Sequence, residues 1–266
     1  MDFKVNEPQY IVNMAEKKSR IIGLQELELT NDDLFVRKPI LGNLEDTKVI
    51  IDETHVAIIL NNGMALETLR PGMYPIVDKK SAFSSKSQDS ARLELFYISK
   101  TAKVRLLWGT PALFDVHDPI TNVPVKMGAS GEIEIRILNP RQFYVELVGA
   151  NKRFTIDDLK ERLKDVILSR IEPTIVSYVE LNEVPVDRIG EEKLSLANYI
   201  QKDLKKQLGL NYGLDVTYVS VNNINVNEKY KAKVTQKLIN QNICPKCGFK
   251  LVDGSKFCNN CGTKVL

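Results

Sequence analysis

The chain has 266 residues, 43% hydrophobic and 27% charged, an ordinary globular composition that excludes a wholly disordered protein. Lysine and arginine number 37 against 34 aspartates and glutamates, a net charge of +3, too balanced for the whole chain to be a nucleic-acid binder. The length allows one large domain or two smaller ones. The histidines are His55 and His117 alone, which excludes a histidine-rich metal centre. No uncharged apolar run approaches the roughly 18 residues of a membrane-spanning helix. The opening Met1-Asp2-Phe3-Lys4-Val5-Asn6-Glu7 lacks the basic-then-apolar order of a signal peptide. Asp2 excludes N-myristoylation, which needs glycine at that position. A soluble, cytosolic protein is expected.

Residues 1–20 are polar and weakly patterned and read as a short helix or a mobile arm. Apolar residues recur from Ile21 to Val36, with Asn31-Asp32-Asp33 as a turn before Leu34-Phe35-Val36. Lys48 to Leu60 is rich in β-branched residues. Asn61-Asn62-Gly63 tolerates positive φ, and Met64 to Leu69 pairs back as a hairpin. Arg70-Pro71-Gly72 breaks the run, and Met73-Tyr74-Pro75-Ile76 resumes it. Residues 77–91 hold five serines and read as a long exposed loop. Leu93 to Ile98 and Val104 to Trp108 are predicted strands, the second closed by Gly109-Thr110-Pro111. Phe114 to His117 is a short strand ended by Asp118-Pro119. Gly131 to Ile137 alternates strictly, so one face is buried and the other wet. Asn139-Pro140-Arg141-Gln142-Phe143 then turns into Tyr144-Val145-Glu146-Leu147.

After Gly149 the period changes from two to about 3.6. Thr155-Ile156-Asp157-Asp158 is a capping-box helix start, with Ile156, Leu159, Leu163, Val166, Ile167 and Ile171 on one face and Pro173 as the end. A second helix starts near Asp187 and stops around Gly209 or Gly213, with Leu194, Ala197, Ile200, Leu204 and Leu208 inward. Leu214 to Val226 reads as a strand. Asn227 caps a third helix, 228–241, with Tyr230, Val234 and Leu238 inward and lysines around them. Strands first, then helices, then one late strand argue α+β rather than a parallel βαβ array. The body shows no repeat and no heptad region long enough for a coiled coil.

All four cysteines lie at the end of the chain, as Cys244-Pro245-Lys246-Cys247-Gly248 and Cys258-Asn259-Asn260-Cys261-Gly262. Two residues between cysteines let one tight turn aim both sulfurs at one point. The glycine after each pair allows positive φ, so backbone N–H groups can turn toward the sulfurs. Two such knuckles supply the four thiolates of one structural Zn²⁺. Residues 248–257 between them form a short hairpin turning at Asp253-Gly254. Two disulfides would need an oxidising compartment, to which nothing here directs the chain. A redox pair would sit at a helix start in a βαβ setting, which is absent. Residues 243–263 resemble the zinc-ribbon module at the ends of many bacterial proteins. Residues 227–266 carry eight lysines against Glu228 and Asp253, so the tail holds +6 and residues 1–226 hold −3. Such a basic module favours anionic lipid, nucleic acid or an acidic protein.

Residues 45–226 resemble the SPFH family of stomatin, prohibitin and flotillin relatives, also called Band 7 proteins. Lys48-Val49-Ile50-Ile51-Asp52-Glu53-Thr54-His55-Val56-Ala57-Ile58-Ile59-Leu60-Asn61-Asn62-Gly63, ending in Leu69-Arg70-Pro71-Gly72-Met73-Tyr74, is similar to the family's opening hairpin. Trp108-Gly109-Thr110-Pro111 with Asp118-Pro119, and Gly131 to Ile137 with Asn139-Pro140-Arg141-Gln142-Phe143, are similar to a soluble bacterial subgroup called virion-core-protein-like. That subgroup commonly ends in a zinc ribbon. The resemblance implies an SPFH-type mixed sheet with packed helices, self-association, a scaffolding role at membranes and no catalytic residues. The chain departs from the better-known relatives in lacking an N-terminal anchor and a long coiled coil, so recruitment to membranes through a partner protein is expected. The expected division is an N-terminal extension packing on the body (1–44), the SPFH domain (45–226), a basic linker helix (227–242) and the ribbon (243–266).

Other candidate chemistry is thin. Asp115, His117 and Asp118 form D-x-H-D, but two residues on one strand face make no metal shell, and Asp before Pro119 initiates turns. His55 at a strand start is expected to be exposed or at an edge, and Trp108 to be a buried anchor. No phosphate loop, dinucleotide fingerprint or nucleophile elbow is present. Three functions are compatible with the sequence. The first is a homo-oligomeric, non-enzymatic scaffold in the cytoplasm that joins a membrane-associated protein complex in membrane organisation or envelope stress, touching an anionic lipid surface or docking a protein through the ribbon. The second is a nucleic-acid-binding adaptor using the basic tail. The third is an enzyme whose site is assembled across the fold. The first is the expectation adopted.

Overall fold

A computed structural model describes residues 20–23, 34–41, 47–76, 93–149 and 154–265. Its strands are β1 (Arg20–Ile22), β2 (Phe35–Pro39), β3 (Thr47–Ile51), β4 (His55–Asn61), β5 (Met64–Leu69), β6 (Gly72–Pro75), β7 (Leu93–Ser99), β8 (Val104–Gly109), β9 (Phe114–His117), β10 (Pro124–Ile137) and β11 (Leu214–Val226). Its helices are α1 (Pro140–Phe143), α2 (Ile156–Leu181), α3 (Lys193–Tyr212) and α4 (Glu228–Asn240). The expectations for residues 1–19, the Asn31-Asp32-Asp33 turn and the serine-rich 77–91 segment lie outside the described residues.

The architecture is α+β, with three sheets among the described residues. In the first, β3 pairs in parallel with β1 and antiparallel with β6. The second is antiparallel in the order β2-β7-β4-β5. The third is antiparallel in the order β11-β10-β8, with β9 also on β10. The second sheet is covered on both faces. Val56, Ile58 and Leu60 of β4 enter the main core, while Ala57 and Ile59 join Val49 and Ile51 in a second cluster against the first sheet. Successive side chains of a strand point to opposite faces, so a strand dry on both sides reads as one apolar run, as Val56 to Leu60 does. The β4–β5 hairpin turns at Asn62 (φ 49°) and Gly63 (φ 82°), both positive as a two-residue type I′ turn requires.

The segment expected to be an extension contributes β1 and β2 to these sheets, and Ile22, Leu34 and Ile40 are buried. His55 is not an edge residue: β4 is central, His55 pairs with Ser99, and it is buried. β10 starts at Pro124, seven residues before the alternating run. Within it Gly131 is needed for close approach. A Cβ there would stand 1.9 Å from the Ser220 carbonyl and 2.9 Å from the Trp108 ring, which packs beside it.

Three helical details differ from expectation. Tyr144–Val148 is not extended. Asn139 caps α1 by accepting from Gln142 N–H at 3.2 Å, Pro140 sits in the first turn, and the chain continues through a π-helical turn; proline is pre-organised for that position. Pro173 does not end α2, which runs on to Leu181. Proline removes one helical hydrogen bond, but Ser169, whose carbonyl it frees, is exposed to water, and burial of Thr174, Ile175, Tyr178 and Val179 carries the helix onward. Leu194 is 76% exposed and Leu196 takes the inward place, because a 3₁₀ turn over Val186–Glu192 resets the helical phase before α3. The capping box at Thr155 and Asp158 and the cap at Asn227 form as expected. Through Val234 and Leu238, α4 docks on the main core rather than linking freely. No helix among the described residues is long and apolar enough to cross a membrane.

Candidate metal centre

Beyond α4 the chain folds twice into the same knuckle. Gly248 N–H donates to the Cys244 carbonyl at 2.8 Å, and Gly262 N–H to the Cys258 carbonyl at 2.8 Å. The first cysteine of each pair donates its own N–H back, Cys244 to Phe249 O and Cys258 to Thr263 O, both at 2.8 Å. Gly248 (φ 70°) and Gly262 (φ 71°) occupy the left-handed region that a side chain disfavours. Matching bridges join Ile243 to Lys250 and Phe257 to Lys264. The sequence carries this as a fourteen-residue repeat, Ile243-Cys-x-x-Cys-Gly-x-Lys-Leu251 over Phe257-Cys-x-x-Cys-Gly-x-Lys-Val265. The repeat lies wholly beyond the body, at residues 243–265. The linking segment turns at Asp253-Gly254, with Gly254 at φ 76°.

The two knuckles place four sulfurs within 4.8 Å of one another. Cys244 and Cys261 Sγ are 3.7 Å apart, and Cys247 and Cys258 Sγ 3.5 Å. Four thiolates at about 2.3 Å from one tetrahedral zinc stand about 3.8 Å apart, so the residues fit such an ion. The cysteines are free thiols, not disulfides. Backbone N–H groups aim at the sulfurs, from Lys246 and Cys247 toward Cys244, from Phe249 toward Cys247 and from Thr263 toward Cys261. The Thr263 hydroxyl, 3.2 Å from Cys261 Sγ, and its N–H draw that thiol down to about 6. Burial pushes Cys244 up to about 11. Anionic charge thus forms most readily on the half-buried sulfurs of Cys247 and Cys261, Cys247 being lowered also by the Phe249 N–H. The ribbon's own core is small: Leu251 and Val265 pack with Cys244 and Cys258, apart from the body's clusters.

The D-x-H-D run is divided by the fold. Asp115 and His117 both face solvent on β9, Asp115 paired with Lys126 Nζ at 3.0 Å. Asp118 is 1% exposed. It accepts from Thr121 N–H and Thr121 Oγ1, both at 2.7 Å, and from Val186 N–H at 2.9 Å. It therefore ties the β9 turn to the start of the 3₁₀ turn, a structural task. His55 Nδ1 lies 2.8 Å from Asp52 Oδ1 and 2.8 Å from Thr54 Oγ1, its ring 5.0 Å from that of Tyr97. Burial pushes the Asp52 carboxyl up, but hydrogen bonds from Thr54 and His55 outweigh it and leave it below the ordinary range. Burial lifts the Tyr97 hydroxyl to about 12. The group closes the β3–β4 turn on itself. Trp108 is buried as expected, its indole N–H without a protein acceptor among the described residues.

Asp187 is a feature the sequence did not mark. Burial raises its carboxyl above the usual range, the neighbouring Asp118 adding to this against Arg188, and one of its oxygens is buried without a partner among the described residues. Only the fold sets it beside Asp118, so no local pattern announces it. A polar cavity of about 430 Å³ between α2 and α3 has Arg170 spent on Asp203 through bonds of 3.1 and 2.7 Å.

Comparison with known proteins gives two matches. A family model described as the SPFH domain-Band 7 family matches residues 43–241. One described as a zinc-ribbon domain matches residues 243–265. No curated protein matches the chain.

Proposed function

The chain belongs to the SPFH domain-Band 7 family, and we propose that it is a non-enzymatic scaffold that assembles with itself and joins membrane-associated protein complexes through its ribbon. One structural Zn²⁺ would be held by Cys244, Cys247, Cys258 and Cys261, supplying the folding energy that so small a core lacks. The reading places the protein in the cytoplasm, at membranes only through partners, and in the soluble bacterial virion-core-protein-like subgroup, with membrane organisation or envelope stress as its setting.

The observation that carries the docking role is the ribbon's outer surface. Phe249 is 47% exposed, Val252 62% and Phe257 55%, on a module whose core is separate from the body. Large exposed apolar side chains rimmed by polar ones are the usual mark of a protein contact. The rival reading, a nucleic-acid adaptor, is supported less well. On α4, Lys231 is paired with Glu228 at 2.8 Å and Lys233 lies 5.6 Å from the Tyr230 ring centroid, so half of that helix's lysines are engaged by their own helix.

Affinity capture of the tagged protein from gently lysed source cells, with and without nuclease, tests the reading. Membrane proteins that survive nuclease and disappear with the Phe249→Ser/Phe257→Ser double variant are expected. Recovery only of nuclease-sensitive nucleoid or ribosomal proteins, with affinity falling steeply in salt, would replace the docking role by the adaptor role.

A further inference from the structure

The third sheet ends on two edges that the chain treats differently. On β11, side chains from α3 reach the backbone: Gln201 Nε2 donates to Val216 O at 3.0 Å and Lys193 Nζ to Asn222 O at 2.7 Å. Such cover blunts an edge. On the other side β8 pairs only with β10 among the described residues. Thr110 N–H donates to Ala129 O at 3.0 Å, and on the far side of β10 the Thr217 hydroxyl donates to Glu134 O at 3.2 Å. The alternation of an antiparallel ladder then turns the N–H and C=O of Val104, Leu106 and Trp108 toward β10, and those of Arg105, Leu107 and Gly109 away from it. Among the described residues no side chain hydrogen-bonds to the backbone of these three. Leu107 is 84% exposed, the most exposed large apolar side chain among the described residues. Beside it a groove of about 550 Å³ runs between β8 and α2, lined by Leu106, Trp108, Ile167 and Leu168 and rimmed by Lys160, Glu161 and Lys164.

We propose that β8 is a self-pairing edge, at which two copies of the chain join antiparallel, β8 to β8, about a two-fold axis through Leu107. The register is self-complementary, as a two-fold interface requires. Leu107 meets Leu107 of the second copy, and each Arg105 meets Gly109, which leaves space for the guanidinium. All three outward-facing residues are satisfied, each pair exchanging both of its main-chain hydrogen bonds. A slip by two residues toward Arg105 leaves Gly109 unpaired, and one by four sets Arg105 against Arg105. Leu107 is withdrawn from water, and the apolar grooves beside the two β8 strands become continuous. The flanking rims of α2 carry both signs of charge, Lys160 and Lys164 beside Glu161. The proposal rests on the self-associating reading above and gives it a surface.

The test compares sedimentation mass of the full chain with that of Leu107→Lys and Leu107→Pro. The lysine sets two like charges at the axis. The proline removes an outward N–H without touching the ladder to β10, a substitution that edge strands accommodate. Leu194→Lys, at another strongly exposed leucine, on α3, is the control. Circular dichroism and zinc content check folding, so the lysine variant carries the test if the proline variant misfolds. Wild type and control should form an even-numbered assembly, and both Leu107 variants should halve its mass. The Arg105 and Gly109 amides should exchange hydrogen about tenfold faster or more in Leu107→Lys than in wild type, since opening of the pair now governs them. An assembled wild type whose mass both variants keep would overturn this surface and leave self-association standing. A monomeric wild type at tens of micromolar would overturn both.

Discussion

Cys258→Ser removes one of the four sulfurs and tests the division of the molecule most directly. Cys258 lies 3.5 Å from Cys247 Sγ and is itself buried in the ribbon. The side chains that keep the ribbon closed without metal are Leu251 and Val265, worth together about 4 kcal/mol of apolar burial. Ordering the backbone of some twenty residues costs at least about 20 kcal/mol. Structural zinc contributes about 10–16 kcal/mol in modules of this kind, so the ribbon cannot stay folded once the site is broken. The body should be indifferent, because its main core includes only Ile243 from the ribbon side, at its margin. Zinc measured by a colorimetric chelator should fall from one per chain to none. Limited trypsin digestion should open Lys246, Lys250, Lys256 and Lys264, while the body's thermal midpoint moves by less than about 2 °C, as for a change without cost to its core. Loss of the whole cooperative transition, or a variant that retains one zinc per chain, would refute the argument.

Three further outcomes follow from the body. Asp118→Ala should cost about 4 kcal/mol in urea unfolding, because a buried carboxylate with three donors leaves those donors unpaired when it goes, and a loss under about 1 kcal/mol would deny it the structural task. Gly131→Ala should cost about 3 kcal/mol or more, since a Cβ 1.9 Å from the Ser220 carbonyl forces the β10–β11 ladder apart. Asp187 is raised by burial, so its contribution to stability is complete below the unfolded value of about 4 and is lost as pH rises through the higher folded value. Asp187→Asn should therefore stabilise the protein at neutral pH, with the advantage shrinking to nothing near pH 4; paired denaturation curves across that range would show a constant difference if burial were not the cause.

The knuckles show what is legible without a fold. Cys-x-x-Cys-Gly states its geometry within five residues, because the turn, the positive φ and the sulfur direction are all local. The Asn62-Gly63 turn and the Thr155–Asp158 capping box are local in the same way, and each formed at the position its residues indicate.

Where local preference and distant packing disagreed, packing won. Pro173 argues for a helix end, yet the core holds Thr174, Ile175 and Val179 in helix beyond it. Tyr144–Val148 has the composition of a strand but continues the helix that Asn139 starts. His55 carries a polar ring, but its strand lies between β5 and β7, so the ring is buried and satisfied by Asp52 and Thr54. Asp187 is ordinary until the fold sets it beside Asp118. The sequence by itself determined the convergence of the four cysteines, the α+β class and most strand positions, because these follow from spacing and periodicity over a few residues. Only the tertiary structure decided which strands are central, which polar groups are sealed, and that among the described residues β8 pairs on one side alone, because those depend on partners far away in the chain.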